Sequence, residues 1–326
     1  MFKKIGFSAT AATLITFGVT QAVQAVSLTN ASPGSTVVGG VEVLAPDALV
    51  AGKTQGEWGN LWWQYILSIP TNDNPATDTT GEKASIGQSG PVFFLAGVYG
   101  AGKVERTITV PGDKYIFFPL ITQVVDNTSV TNDPNDPNFF GNLPVDSDDS
   151  MPPVFPDDCF FINPNNPPSL RSCTASIIDG TSDLLTTING VDLEAEGINL
   201  FQYRQQSPEA FSYTVPIDNV AGFADPLFLN NPGQSTQLQF PATIGPAISD
   251  GFWLMLAPLP PGKHTLNFGG IGFLTEQNAT YNITSVSVPE PASILSLLAF
   301  GSLGASSLVK RKQKQQQSAS RVTSEV

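Results

Sequence analysis

The chain has 326 residues, with 28 acidic side chains against 15 basic ones and a formal net charge of −13. Such a charge repels nucleic acid and anionic lipid and argues against either as a partner. Two cysteines and a single histidine fall short of a conventional four-ligand zinc site, while a 41% hydrophobic content is enough to build a core.

At the N-terminus, Lys3 and Lys4 precede a small, apolar stretch from Ile5 to Val19. Val23-Gln24-Ala25 then places small residues at the −3 and −1 positions of a cut after Ala25. That order is the layout of a secretory signal peptide over residues 1–25. Residues 26–287 are expected to form the exported, β-rich part. Between residues 26 and 290 there are eight basic and 27 acidic side chains, a net charge near −19.

Helix signal is concentrated after Thr54. Thr54-Gln55-Gly56-Glu57 has capping-box spacing. Trp58, Leu61, Trp62, Tyr65, Ile66 and Ile69 then recur at i, i+3, i+4, i+7, i+8 and i+11, and Pro70 ends the run. The spacing predicts an amphipathic helix over 55–69. Trp58 and Trp62 fall on its core face, whereas Trp63 falls off it and is the indole expected nearest the surface.

Short apolar runs separated by Gly, Pro, Asn and Asp follow. Residues 91–98, 104–110 and 115–125 read as strands, and 184–193 holds Asn189-Gly190, the preferred centre of a type I′ hairpin. Phe211, Tyr213, Val215 and Ile217 alternate as one face of a half-buried strand. Residues 251–256, 263–268 and 280–288 complete the set, with Trp253 expected in the core. Many short strands with frequent turns predict a mainly β protein, an antiparallel β-sandwich or jelly roll with one helix packed on it.

Residues 126–170 interrupt the pattern as an insertion rich in Asp, Asn and Pro. Its carboxylates, among them Asp133, Asp136, Asp146 and Asp148, are the ligand type that calcium takes, but no EF-hand spacing is present. A solvated loop is the stronger reading and a structural calcium site the weaker one; no other cofactor is expected. Cys159 and Cys173 flank Asn163-Pro164-Asn165-Asn166-Pro167-Pro168. In an exported chain they are expected to form a disulfide, adding roughly 3 kcal/mol in the chain-entropy model.

The C-terminal region opens with Val288-Pro289-Glu290-Pro291, continues as an apolar run over 292–309, and reaches Lys310-Arg311-Lys312-Gln313-Lys314 and a polar tail over 315–326. The apolar run is close to the shortest helix that spans a bilayer. Lys310, Arg311, Lys312 and Lys314 would hold its far end in the cytoplasm. Pro289, Glu290 and Pro291, the span and the basic cluster, covering 288–314, resemble the PEP-CTERM sorting signal. The resemblance implies processing near that motif by an exosortase, a membrane protease, and delivery to the cell envelope or extracellular matrix.

Two further segments resemble an uncharacterised family of exported bacterial proteins. One runs through Trp62-Trp63-Gln64-Tyr65, Asn74-Pro75, Asp78-Thr79-Thr80-Gly81, residues 87–97, Val110-Pro111-Gly112 and Phe117-Phe118-Pro119. The other joins Asp250-Gly251-Phe252-Trp253 to Leu259-Pro260-Pro261-Gly262-Lys263-His264-Thr265. The resemblance implies a shared fold and export, with no assigned reaction. It also implies cysteines where this chain has Ala84 and Ile108, hence one disulfide fewer here.

Catalytic patterns are weak. His264 falls in step with Leu266 and Phe268, so a buried, hydrogen-bonded histidine is favoured over a triad member, and no Gly-x-Ser-x-Gly elbow supplies a serine. Residues 97–103 lack the Ser or Thr and the helix of a phosphate loop. A carboxylate pair of the glycosidase kind is the open enzyme alternative. The expected role is therefore an exported envelope or matrix protein that acts by binding or structure, with extracellular polysaccharide as a candidate partner. A secreted carboxylate hydrolase and a calcium-stabilised adhesion module are the alternatives.

Overall fold

The computed structural model describes residues 34–126, 143–146, 168–221, 240–272 and 275–288. The chain order is β1 (Thr36–Val38), β2 (Val41–Val43), α1 (Gln55–Ser68), β3 (Val92–Phe94), β4 (Gly102–Pro111), β5 (Tyr115–Asp126) and α2 (Leu170–Asp179). It continues with β6 (Ser182–Ile188), β7 (Val191–Asp192), β8 (Arg204–Gln206), β9 (Phe211–Val215), β10 (Ala242–Leu256), β11 (Gly262–Gly272) and β12 (Thr275–Val286).

The strands form two sheets. One has the order β1-β2-β10-β5-β3, with β8 and β9 also paired to β10; the other has the order β4-β12-β11-β6-β7. Most strand pairs are antiparallel, but both sheets are mixed, which refines the antiparallel expectation: β3 runs parallel to β5, and β4 parallel to β12. The chain between β4 and β12 visits the other sheet before it returns, so the two strands are not joined by a hairpin and are free to lie parallel.

Strand alternation builds two cores from the same strands. Side chains of successive strand residues point to opposite faces. Ile116 and Phe118 of β5 and Leu254 and Leu256 of β10 join Leu266, Phe268, Tyr281 and Ile283 in the core shared with the second sheet. Phe117, Trp253 and Met255 point the other way and pack with Trp58, Trp62, Tyr65 and Ile66 of α1. The central strand β10 is thus buried on both faces, which is why Phe252-Trp253-Leu254-Met255-Leu256 is continuously apolar. A bulge between Phe252 and Trp253 places Trp253 opposite Pro119.

Helix α1 matches its sequence signal closely. Glu57 N–H donates to Thr54 Oγ1 at 3.2 Å, and Thr54 N–H donates to Glu57 Oε2 at 2.7 Å, completing the capping box. Gly59 lets the helix approach the sheet, since a Cβ there would lie 3.0 Å from the Trp253 ring. Trp253 stacks on Phe117 with ring centroids 5.2 Å apart and planes at 6°, and meets Trp62 edge-on at 5.6 Å.

The second helix, α2, is absent from the sequence expectation. Ser169 caps it by accepting from Ser172 N–H at 3.0 Å, and Ser172 Oγ accepts in return from Ser169 N–H at 2.9 Å. Cys173 is buried in this helix and is not a free thiol; its expected partner, Cys159, lies outside the described residues. The 211–217 strand also stops early, at Val215, and Ile217, after Pro216, is 66% exposed.

No helix among the described residues is long and apolar enough to cross a membrane. The signal segment with Ala25, the sorting residues Pro289, Glu290 and Pro291, the span over 292–309 and the basic cluster Lys310, Arg311, Lys312 and Lys314 all lie outside those residues.

Candidate functional site

A cleft of about 350 Å³ opens where α1, β5, α2 and the β11–β12 pair converge. Trp62, Trp63 and Ile66 of α1 form one wall, and the loop Gly97–Gly100 after β3 forms a rim. Residues 119–123 of β5 line the floor, with Ile177 and Ile178 of α2 beside them and Gly272, Thr275 and Gln277 opposite. A mostly apolar concavity with a few polar groups is the usual form of a small-ligand site.

The Trp63 ring is fixed before any ligand arrives. Its indole N–H donates to Thr122 Oγ1 at 3.2 Å, and that hydroxyl donates onward to the Asp250 carbonyl at 2.9 Å. Trp62 meets Trp63 edge-on at 5.1 Å, while the Trp62 indole is anchored to the Leu95 carbonyl at 2.9 Å. Trp63 is thus half-buried at the cleft rather than fully at the surface, as a ring off the core face of α1 but beside β5 must be. Tyr99, which shares the cleft's lining, is 51% exposed.

Arg106 sets the rim. It lies on β4 in step with Ile108 and Val110, so strand alternation turns it inward, and it is only 1% exposed. Its guanidinium donates to the carbonyls of Ala96 at 2.7 Å, Gly97 at 3.0 Å and Asp78 at 2.7 Å, and to the Tyr281 hydroxyl at 2.7 Å. One cation therefore ties β4, β12, the Asp78 loop and the start of the Tyr99 loop together. Burial pushes the Asp78 carboxyl up, but hydrogen bonds from Lys83, Thr80 and Gly81 outweigh it and hold it below the usual carboxylate range. Those bonds run 2.8–2.9 Å and close the 78–83 turn.

Among the described lining residues of the cleft there is no carboxylate, histidine, cysteine, lysine or arginine. The buried carboxylate with a raised pKa is elsewhere. Burial pushes Asp250 up, while Arg204, which donates to it at 2.8 Å, works against the shift. Arg204 also pairs with Asp179, and Gln206 donates to Asp250 at 3.3 Å. An arginine between the two acids makes a structural bridge that ties β8 and α2 to β10. It does not leave two carboxylates facing across a groove.

The other sequence candidates are dispersed. Asp146 pairs with Arg171 at 2.7 Å, while Asp133, Asp136 and Asp148 lie outside the described residues, where the calcium expectation rests. His264 is half-buried rather than buried: Nε2 lies 2.8 Å from the Pro260 carbonyl and Nδ1 3.3 Å from the Asn189 amide. It therefore ties the Asn189-Gly190 turn to the start of β11. Ala84 and Ile108 both lie in the core between the sheets.

Sequence reasoning singled out Trp63 but missed Tyr99, Gln123 and Gln277. They come from three separate segments, and nothing local marks them as neighbours. Arg106 did carry a signal, an inward-pointing charge on an alternating strand. No protein-family model, curated protein or solved structure matches the chain.

Proposed function

We propose that this is an exported protein, sorted to the cell envelope or extracellular matrix through its PEP-CTERM-like tail, whose folded part acts by non-covalent binding at the Trp63–Tyr99 cleft. The observation that carries the binding role is the cleft's chemistry: a fixed aromatic ring, an exposed one on the same lining, and no carboxylate, histidine, cysteine, lysine or arginine among the described lining residues. The signal-like N-terminus, the ordered tail motifs and the acidic composition support the location. The fold is read as a sandwich of two mixed sheets with α1 on its outer face, and a Cys159–Cys173 disulfide staples the acidic insertion to α2. An extracellular polysaccharide is the partner class and an exosortase the processing enzyme. The carboxylate-hydrolase alternative has less support, since Asp250 and Asp179 are both engaged by Arg204.

Mass-spectrometric mapping of the C-terminus in surface and membrane fractions tests the location. A terminus near Glu290 in the surface fraction is expected. An intact tail through Val326, found only in membranes, would replace sorting by stable anchoring. Protein confined to the cytoplasm with residues 1–25 uncut would overturn export.

A further inference from the structure

The cleft's polar complement narrows its ligand. Trp63 and Tyr99 supply aromatic surface, and aromatic rings present a broad apolar face at small entropic cost because few torsions are lost. Around them the polar side chains are uncharged: the Tyr99 hydroxyl, the amides of Gln123 and Gln277, and the hydroxyls of Thr122 and Thr275. The Gln277 amide and the Tyr99 hydroxyl have no hydrogen-bond partner among the described residues, so both are free to bond a ligand. Among the described lining residues there is no cation to receive a carboxylate, sulfate or phosphate, and the chain as a whole carries a net charge of −13. An anionic ligand would lose its hydration and gain no ion pair, a net cost. A purely apolar ligand would leave the free amide and hydroxyl unpaired, which also costs affinity.

We propose that the cleft binds a short segment of an uncharged glycan, with Trp63 as a fixed platform under one sugar ring, Tyr99 closing over it, and Gln123 and Gln277 reading its hydroxyls. The inference rests on the binding role proposed above and specifies its ligand class. Arg106 acts on recognition indirectly, by holding the carbonyls of Ala96 and Gly97 from which the Tyr99 loop departs.

The test is titration calorimetry on the native full-length protein against cello-, xylo- and isomalto-oligosaccharides as uncharged probes. Alginate oligosaccharides serve as the uronic-acid probe and Nile red as the apolar one. Saturable binding of an uncharged oligosaccharide is expected, with no binding of alginate. Tyr99→Ala, at an exposed position, should weaken it about tenfold with an unchanged Tm, and Gln277→Ala should weaken it without changing Tm. Trp63→Phe should weaken it as well, and its far-ultraviolet circular dichroism reports whether the fold is kept. Preference for alginate, or oligosaccharide binding indifferent to Tyr99→Ala and Gln277→Ala, would overturn the proposal. Nile red binding that Tyr99→Ala weakens, without any oligosaccharide binding, would overturn the ligand class while leaving the cleft a binding site.

Discussion

Single side chains hold the cleft in shape more than they fill it. Arg106 is the clearest case, because its removal strands several buried acceptors at once. Each buried group left unpaired costs about 1–3 kcal/mol, so Arg106→Leu should destabilise by at least about 3 kcal/mol. It should also speed hydrogen exchange at Val98–Gly100, read by mass spectrometry. Asp78 makes the neighbouring turn sensitive to pH. Its folded pKa is depressed, so its contribution is present above the unfolded value of about 4 and is lost as the pH falls through the lower, folded value. Denaturant midpoints from pH 6 down to pH 2.5 should therefore fall less for Asp78→Asn than for the parent protein. Tyr213 illustrates the opposite direction: burial, with Asp126 beside it, pushes its hydroxyl up and keeps it a donor to that carboxylate.

At the level of elements, local chemistry was legible wherever a pattern is self-contained. The Thr54–Glu57 box and the apolar spacing after it give α1 almost to the residue, ending at Ser68 rather than Ile69. Thr54→Ala should cost about 1 kcal/mol, measurable by urea unfolding. Asn189 and Gly190 have φ of 52° and 79°, as a type I′ turn requires. Gly190→Ala should cost about 1–2 kcal/mol through backbone strain alone, since a Cβ there meets nothing within 4 Å. Helix α2 was missed although Leu170, Cys173, Thr174, Ile177 and Ile178 repeat at helical spacing. Its cap uses Ser172 where a capping box usually has Glu or Gln, and two of its buried positions are Cys and Thr, which dilute the apolar signal. Parallel pairing of β4 with β12 was equally out of reach, because partners such as Ile108 and Ile283 lie 175 positions apart in the chain.

At the scale of the whole molecule, one sheet shared by two cores explains why the cleft is where it is. Alternate residues of β5 and β10 face the second sheet and α1 in turn, so α1 and the β11–β12 pair approach β5 from opposite faces and leave a gap where β5 runs past them. Phe117→Ala should destabilise by about 3–5 kcal/mol, because it removes the ring stacked on Trp253 beneath α1; thermal unfolding would show it. The insertion behaves differently at its described edge. Asp146 is largely exposed and paired with Arg171, so Asp146→Ala should change stability by no more than about 1 kcal/mol, in calcium or in EDTA alike.

The proposed role predicts that the cleft binds a glycan without cutting it. The direct measurement is to incubate the native protein with polysaccharide recovered from its own cell surface. Calorimetry would follow association and size-exclusion chromatography the length of the glycan. Saturable binding with the glycan recovered at full length is the predicted result. Progressive shortening of the glycan, abolished by a carboxylate substitution that leaves the fold intact, would contradict it and establish a hydrolase.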